Sequence, residues 1–252
     1  MKIISVINLK GGVAKTVSAI NFGHVLVKEH GKKVLLIDND KQGNTTKFFD
    51  LHNEDEKSLA ELLTERGLNA VDVIKETAYE GLDVIPANMS LLYANKEILL
   101  DVSRPQQTRL RKALEPLKGE YDYCIIDNAP DINMSVINAL VASDDVLVPI
   151  KVDRFAFDGL EQLTKQIEDV KEFNSAIALK GCFVTMYQRN KVNAQGAEYL
   201  ELSTPYPLFK TAIRKTVKVD ETTFAGRPLL DYRASTAGAD YKKLVNEYLQ
   251  MC

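Results

Sequence analysis

The sequence is poor in the residues that would open most other chemistries. Among 252 residues there are three cysteines, at 124, 182 and 252, with no C-x-x-C spacing and an odd one left over. They are expected to be reduced, two of them buried as small apolar residues in strands, and Cys252 exposed outside any C-a-a-X context. The three histidines, His24, His30 and His52, are scattered without metal-ligand spacing. No apolar run approaches the roughly 18 residues of a membrane span. The N-terminus lacks a signal peptide's succession of basic, apolar and small residues, so a cytoplasmic protein is expected. Repeats, low-complexity tracts and linkers are absent.

What is present suits a folded α/β chain. Hydrophobic residues make up 45% and charged residues 27%, which argues against extensive disorder, and the length fits one domain spanning 1–252. The formal charge of −3 is unevenly spread. Between Lys180 and Lys218 seven basic residues (Lys180, Arg189, Lys191, Lys210, Arg214, Lys215, Lys218) face two acidic ones, Glu198 and Glu201. Such a segment reads as a polyanion-binding patch or as a solvated surface.

The most informative stretch is Lys10-Gly11-Gly12-Val13-Ala14-Lys15-Thr16. It follows Lys2 to Asn8, a β-branched run typical of a buried parallel strand, and opens a segment, Lys15 to Val27, whose apolar residues recur at helical spacing. Glycines between a strand and a helix let successive N–H groups converge on phosphate oxygens at the positive helix end. Lys15 would reach the β- and γ-phosphates and the Thr16 hydroxyl would bind magnesium. The cradle as read comprises Lys10, Gly11, Gly12, Val13, Ala14, Lys15, Thr16 and Val17. Leu9 and Ala14 stand where the ordinary G-x-x-x-x-G-K-[ST] pattern has glycines.

With its additional Lys10, the motif K-G-G-x-x-K-[ST] resembles the deviant Walker A ATPases, the ParA/MinD/Soj family of P-loop NTPases. The resemblance implies ATP/ADP and Mg2+ as ligands, and a signature lysine, here Lys10, that reaches across a dimer interface to the partner's nucleotide. A second match is Asp38 to Thr46, beginning Asp-Asn-Asp-Lys-Gln-Gly-Asn against the family's D-x-D-x-Q-G-N. Two carboxylates at the carboxyl end of a strand lie where open α/β sheets bind ligands. By resemblance Asp38 stands near the magnesium shell and Asp40 orients the attacking water. Tyr123 to Asp127, an apolar strand ending in aspartate, looks like Walker B and makes Asp127 a magnesium residue. Lys41 replaces a proline common in relatives, and Asp131 adds a charge after Pro130.

Elsewhere Ser58 to Glu61 shows a capping box before a helix, Leu82 to Pro86 reads as a strand, and helices are expected from about Asn88 and over Gln106 to Leu117. Asn133 to Ala142 suits a helix, Asp145 to Lys151 a strand, Phe155 to Phe173 a long amphipathic helix and Gly181 to Met186 a further strand. This alternation implies an α/β fold, a mostly parallel twisted sheet flanked by helices on both faces.

The resemblance runs over nearly the whole chain, through Asp158-Gly159-Leu160, Thr185-Met186-Tyr187 and Gly226-Arg227-Pro228-Leu229 to the helix at Gly238-Ala239-Asp240-Tyr241. It departs most around 211 to 223, near the base and ribose in relatives. It implies an ATPase that closes as a homodimer on ATP, binds double-stranded DNA nonspecifically and serves plasmid or chromosome partition with a ParB-like partner, in the cytoplasm and on the nucleoid. Arg189, Lys191, Arg214 and Lys218 are the DNA candidates, by resemblance and charge. No N-terminal helix-turn-helix domain is expected. Two alternatives stay open: a MinD-like membrane-associated regulator, which needs a basic amphipathic C-terminal helix, and an iron-sulfur ATPase, which needs paired interface cysteines.

Overall fold

The computed structural model describes residues 1–153, 158–203 and 205–251. The expected start of the long helix at Phe155 and the exposure of Cys252 fall outside the described residues. Seven strands form one sheet: β1 (Lys2–Val6), β2 (Val34–Asn39), β3 (Lys75–Glu76), β4 (Leu82–Ile85), β5 (Tyr123–Asn128), β6 (Asp145–Lys151) and β7 (Ala178–Thr185), in the order β3-β4-β2-β5-β1-β6-β7. All neighbours pair in parallel except the two-residue edge strand β3, which runs antiparallel to β4.

The helices are α1 (Lys15–His30), α2 (Asn44–Phe48), α3 (Leu59–Thr64), α4 (Ser90–Leu100), α5 (Arg109–Leu114), α6 (Met134–Ala142), α7 (Asp158–Val170), α8 (Lys191–Ser203), α9 (Lys218–Ala225) and α10 (Thr236–Gln250). Side chains alternate across each strand, so one run supplies two cores. Ile4, Val6, Val34 and Leu36 pack with α1 and α10 on one face, while Ile3, Leu35, Ile37 and Ile126 pack with α3 to α6 on the other. Cys124 and Cys182 are buried in β5 and β7, as expected of small apolar residues. No helix among the described residues is long and apolar enough to cross a membrane.

Local signals placed most elements within a few residues. Ser58 caps α3 through the expected box, accepting from Ala60 N while Glu61 accepts from Ser58 N. The helix expected to reach Leu117 instead ends at Leu114 and tightens into a 3-10 turn over Glu115–Leu117, where Pro116 offers no N–H and crowds the preceding turn. The two-residue β3 carries too little pattern to read. Sequence also gave no sign of α8, whose Val192, Tyr199 and Leu202 are exposed while Leu200 is buried, so it lacks an apolar stripe.

Candidate functional site

Sheet order builds the site. β5 lies between β2 and β1, and the pairing registers place Val6, Asp127 and Asp38 in one row at the carboxyl ends of these strands. The loop that leaves β1 toward α1 therefore rises beside two carboxylates from distant parts of the chain.

In that loop Gly12 takes φ +69°, and a Cβ at Gly11 or Gly12 would meet only open space, so no neighbouring side chain covers this backbone edge. Ala14 at the start of α1 has φ 66° and ψ 32°, a left-handed conformation that glycine adopts more readily. Asn8 braces the turn, accepting from Lys10 N at 2.9 Å and donating to the Pro149 carbonyl at 2.9 Å. Lys15 is buried, its Nζ donating to the Lys10 carbonyl at 3.1 Å. Burial lowers its pKa, and the nearby Asp127 and Asp40 carboxylates partly offset that. Lys10 pairs with Asp153, just beyond β6.

Asp38 is fully buried. Its Oδ2 accepts from Thr46 N at 2.8 Å and Thr46 Oγ1 at 2.7 Å, and its Oδ1 accepts from Asp40 N at 3.2 Å. Burial and the neighbouring Asp127 push its pKa up to about 7, against those hydrogen bonds. Asp127 accepts from Thr45 Oγ1 at 2.8 Å through Oδ2, while its Oδ1 is buried without a hydrogen-bond partner. Burial raises Asp127 to about 6, the Thr16 and Thr45 hydroxyls and Lys15 pulling it back. An orphaned carboxylate oxygen beside a threonine hydroxyl fits a divalent cation. Among the described residues no group of three or more His, Cys, Asp or Glu could hold a metal unaided; magnesium, which keeps waters and takes phosphate oxygens, does not require one.

Asp40 is partly exposed and accepts from Gln42 N at 3.0 Å. Gly43, at φ +63°, lets the loop turn: a Cβ there would meet the Ala87 carbonyl at 2.8 Å and His52 Nδ1 at 3.1 Å. The fold thus brings Lys10 to Thr16, Asp38, Asp40 and Asp127 together. Sequence reasoning gave no role to Thr45 and Thr46, which hold the two aspartates, or to Asp153, which holds Lys10. The threonines directly follow the second motif; Asp153 carries no local signal.

The basic candidates fare unequally. Arg189 and Lys191 are exposed in the turn after Tyr187 and at the start of α8. Backbone bonds, Tyr187 N to the Ile213 carbonyl and Lys215 N to the Tyr187 carbonyl, both 2.9 Å, set that turn beside the 213–215 segment. Arg214 is committed to Asp240, with Nε and Nη2 each 2.7 Å from its carboxylate oxygens. Lys218 pairs with Glu221 at 2.6 Å and lies 5.6 Å from the Tyr232 ring centroid. A small cavity of about 90 Å³ opens between α1 and this region, lined by Ala14, Val17, Met186, Ile213, Thr216 and Val219 among others.

The model of the AAA domain family matches residues 1–179. The chain is 37% identical over 250 residues to the sporulation initiation inhibitor protein Soj of Bacillus subtilis, covering 98% of this chain and 97% of that one. It is 35% identical over 254 residues to the chromosome partitioning protein ParA of Caulobacter vibrioides, covering 99% and 94%. Among solved structures, the cobyrinic acid a,c-diamide synthase of Mycobacterium smegmatis with bound ATP analog and magnesium has the same fold, with a TM-score of 0.85 at 28% identity over 99% of this chain and 95% of the other.

Proposed function

The chain belongs to the ParA/Soj family of P-loop ATPases, and from that premise we propose that it is a partition switch. ATP closes two copies into a homodimer, the dimer binds duplex DNA without sequence preference, and hydrolysis dissolves it. The observation that carries the reading is the row of Asp127 and Asp38 beside the phosphate loop, together with the full-length similarity to Soj and ParA.

The residues divide the work by position. N–H groups of the Gly11–Thr16 turn and the α1 N-terminus bind phosphate oxygens, and Lys15 leaves the Lys10 carbonyl for the β- and γ-phosphates. Asp127 and Thr16 would hold magnesium, with Asp38 one step behind through Asp40 N and Thr46; when bound, the ion offsets negative charge on the triphosphate. Asp40 accepts a hydrogen bond from the attacking water, whose oxygen bonds to the γ-phosphorus as the bond to the ADP oxygen breaks. Lys10 leaves Asp153 and neutralises the partner copy's triphosphate. The apolar cavity beside Ala14 and Val17 receives the base.

DNA binding falls to the basic region around Arg189, Lys191 and Lys218, with Arg214 as its brace, and a ParB-like protein stimulates turnover on the nucleoid. The partition reading also suits α10, whose Tyr241, Leu244, Val245 and Tyr248 are buried against α1 and so are not available to a membrane.

The test is binding to nonspecific duplex DNA without nucleotide and with ADP, ATP or a slowly hydrolysed analogue, over a salt series. Salt-sensitive binding only with the triphosphates, lost in Lys10→Ala, is the expected result. Binding that ignores nucleotide would sink the switch, and ATP-driven dimers indifferent to DNA at every salt would remove DNA as the target.

A further inference from the structure

The phosphate loop is tied to the sheet at both of its ends. At its start the Asn8 amide donates to the Pro149 carbonyl of β6. At its end Thr185 Oγ1, from the last residue of β7, donates to the Val13 carbonyl at 3.0 Å. Thr185 and Val13 are each 1% exposed, and 172 positions separate them in the chain. A buried carbonyl needs a donor, and β7 supplies it.

The consequence follows from peptide geometry. No peptide bond among the described residues is cis, so the Val13 carbonyl and the Ala14 N–H share one plane and point in opposite directions. A carbonyl held toward β7 holds the Ala14 N–H away from β7. Ala14 is the N-cap of α1, at φ 66° and ψ 32°, with no side-chain cap, and Ser18 N donates to its carbonyl at 2.9 Å. The N–H groups of Ala14, Lys15, Thr16 and Val17 therefore have no acceptor within the helix, the arrangement by which a helix start binds an anion. A left-handed alanine persists only where its surroundings hold it. Thr185 grips the peptide that precedes it.

We propose that Thr185 is a positioning residue for phosphate: through the Val13 carbonyl it aims the Ala14 N–H into the phosphate cradle before nucleotide arrives. The inference rests on the ATPase reading above. Without the hydroxyl the peptide between Val13 and Ala14 is free to turn, Ala14 relaxes from its left-handed conformation, and the nucleotide must restore both when it binds. That cost falls on ligands that carry phosphate. Thr185 also lines the small cavity assigned to the base, so the test separates phosphate from nucleoside.

Thr185→Val keeps the side-chain shape and removes the hydroxyl, whereas Thr185→Ser keeps the hydroxyl. Calorimetric titration of the full chain with ADP and magnesium should show Thr185→Val about tenfold weaker than the native protein, the scale of one buried hydrogen bond, and Thr185→Ser within about twofold of it. Adenosine, followed by amide chemical shifts of the isotope-labelled chain, should bind all three proteins alike. Without nucleotide, the Ala14 amide signal should move in Thr185→Val and stay in place in Thr185→Ser. Unchanged ADP affinity in Thr185→Val, with only its melting temperature lowered, would make the bond structural and overturn the proposal. An equal loss for adenosine would place the effect on the base and overturn the phosphate assignment. Should Thr185→Val not fold, Thr185→Ala carries the same comparison. A native protein that does not bind ADP would overturn the ATPase reading itself, a failure that every variant would share.

Discussion

Lys10 and Asp153 form an ion pair that joins the turn after β1 to the segment after β6, so the signature lysine has a partner within its own chain. Any role for Lys10 at a second subunit's nucleotide must first break this pair. Asp153→Asn removes the competitor and is expected to tighten ATP-driven dimerisation about three- to fivefold, the scale of a partly exposed pair. Sedimentation of the two proteins with a slowly hydrolysed ATP analogue reads this; unchanged or weaker dimerisation would mean that Asp153 does not compete.

The neighbouring carboxylates Asp38 and Asp127 make stability depend on pH. Both have pKa values raised by folding, to about 7 and about 6, so between the ordinary carboxylate range and these values the folded chain binds more protons than the unfolded one. Their contribution is therefore most favourable at low pH and is lost as pH rises toward 7 and above. Asp127→Asn should raise the stability of the nucleotide-free protein at pH 8 by on the order of 2 kcal/mol and flatten its decline between pH 5 and 8. Urea unfolding across that range checks the slope. The same variant should lose magnesium-dependent ATP hydrolysis.

Ala14 carries a left-handed conformation at φ 66°. Relief of that strain by Ala14→Gly gains about 1–2 kcal/mol, against a cost of ~0.4–1 kcal/mol from the greater conformational entropy that glycine gives the unfolded chain. The net expectation is neutral to about 1.6 kcal/mol more stable, by urea midpoint. A clear destabilisation would show that the methyl makes a compensating contact.

Gly43→Ala meets both strain and collision, because φ is +63° and the new Cβ would sit 2.8 Å from the Ala87 carbonyl. A loss of roughly 2–3 kcal/mol is expected. Since Gly43 ends the turn that carries Asp40, ATPase activity should fall further than the fraction of folded protein. Parallel circular dichroism and phosphate release separate the two effects.

Arg214 differs from the other basic candidates in holding a nearly buried carboxylate; Asp240 is 4% exposed. Arg214→Ala strands that charge and should cost about 2 kcal/mol, whereas Arg189→Ala and Lys191→Ala should leave thermal stability within about 0.5 kcal/mol. In a salt series of duplex-DNA binding, the latter two should lower DNA affinity and its salt dependence without touching stability.

By itself the sequence marked most of the longer elements and the candidate residues of the phosphate loop and of two strand ends. Runs such as Val34 to Asp38 and Tyr123 to Asp127 are legible because a strand buried on both faces must be apolar until it ends, and the phosphate loop is legible because its spacing is local. Tertiary structure decided what those residues do to one another. Only the order β2-β5-β1 buries Asp38 beside Asp127; burial raises both pKa values, and the Asp127 carboxylate adds to the rise at Asp38. Long-range closure likewise joined Thr45 to Asp127, Lys10 to Asp153 and Arg214 to Asp240. Such partners are selected by the packing of elements far apart in the chain, and residue spacing carries no record of that.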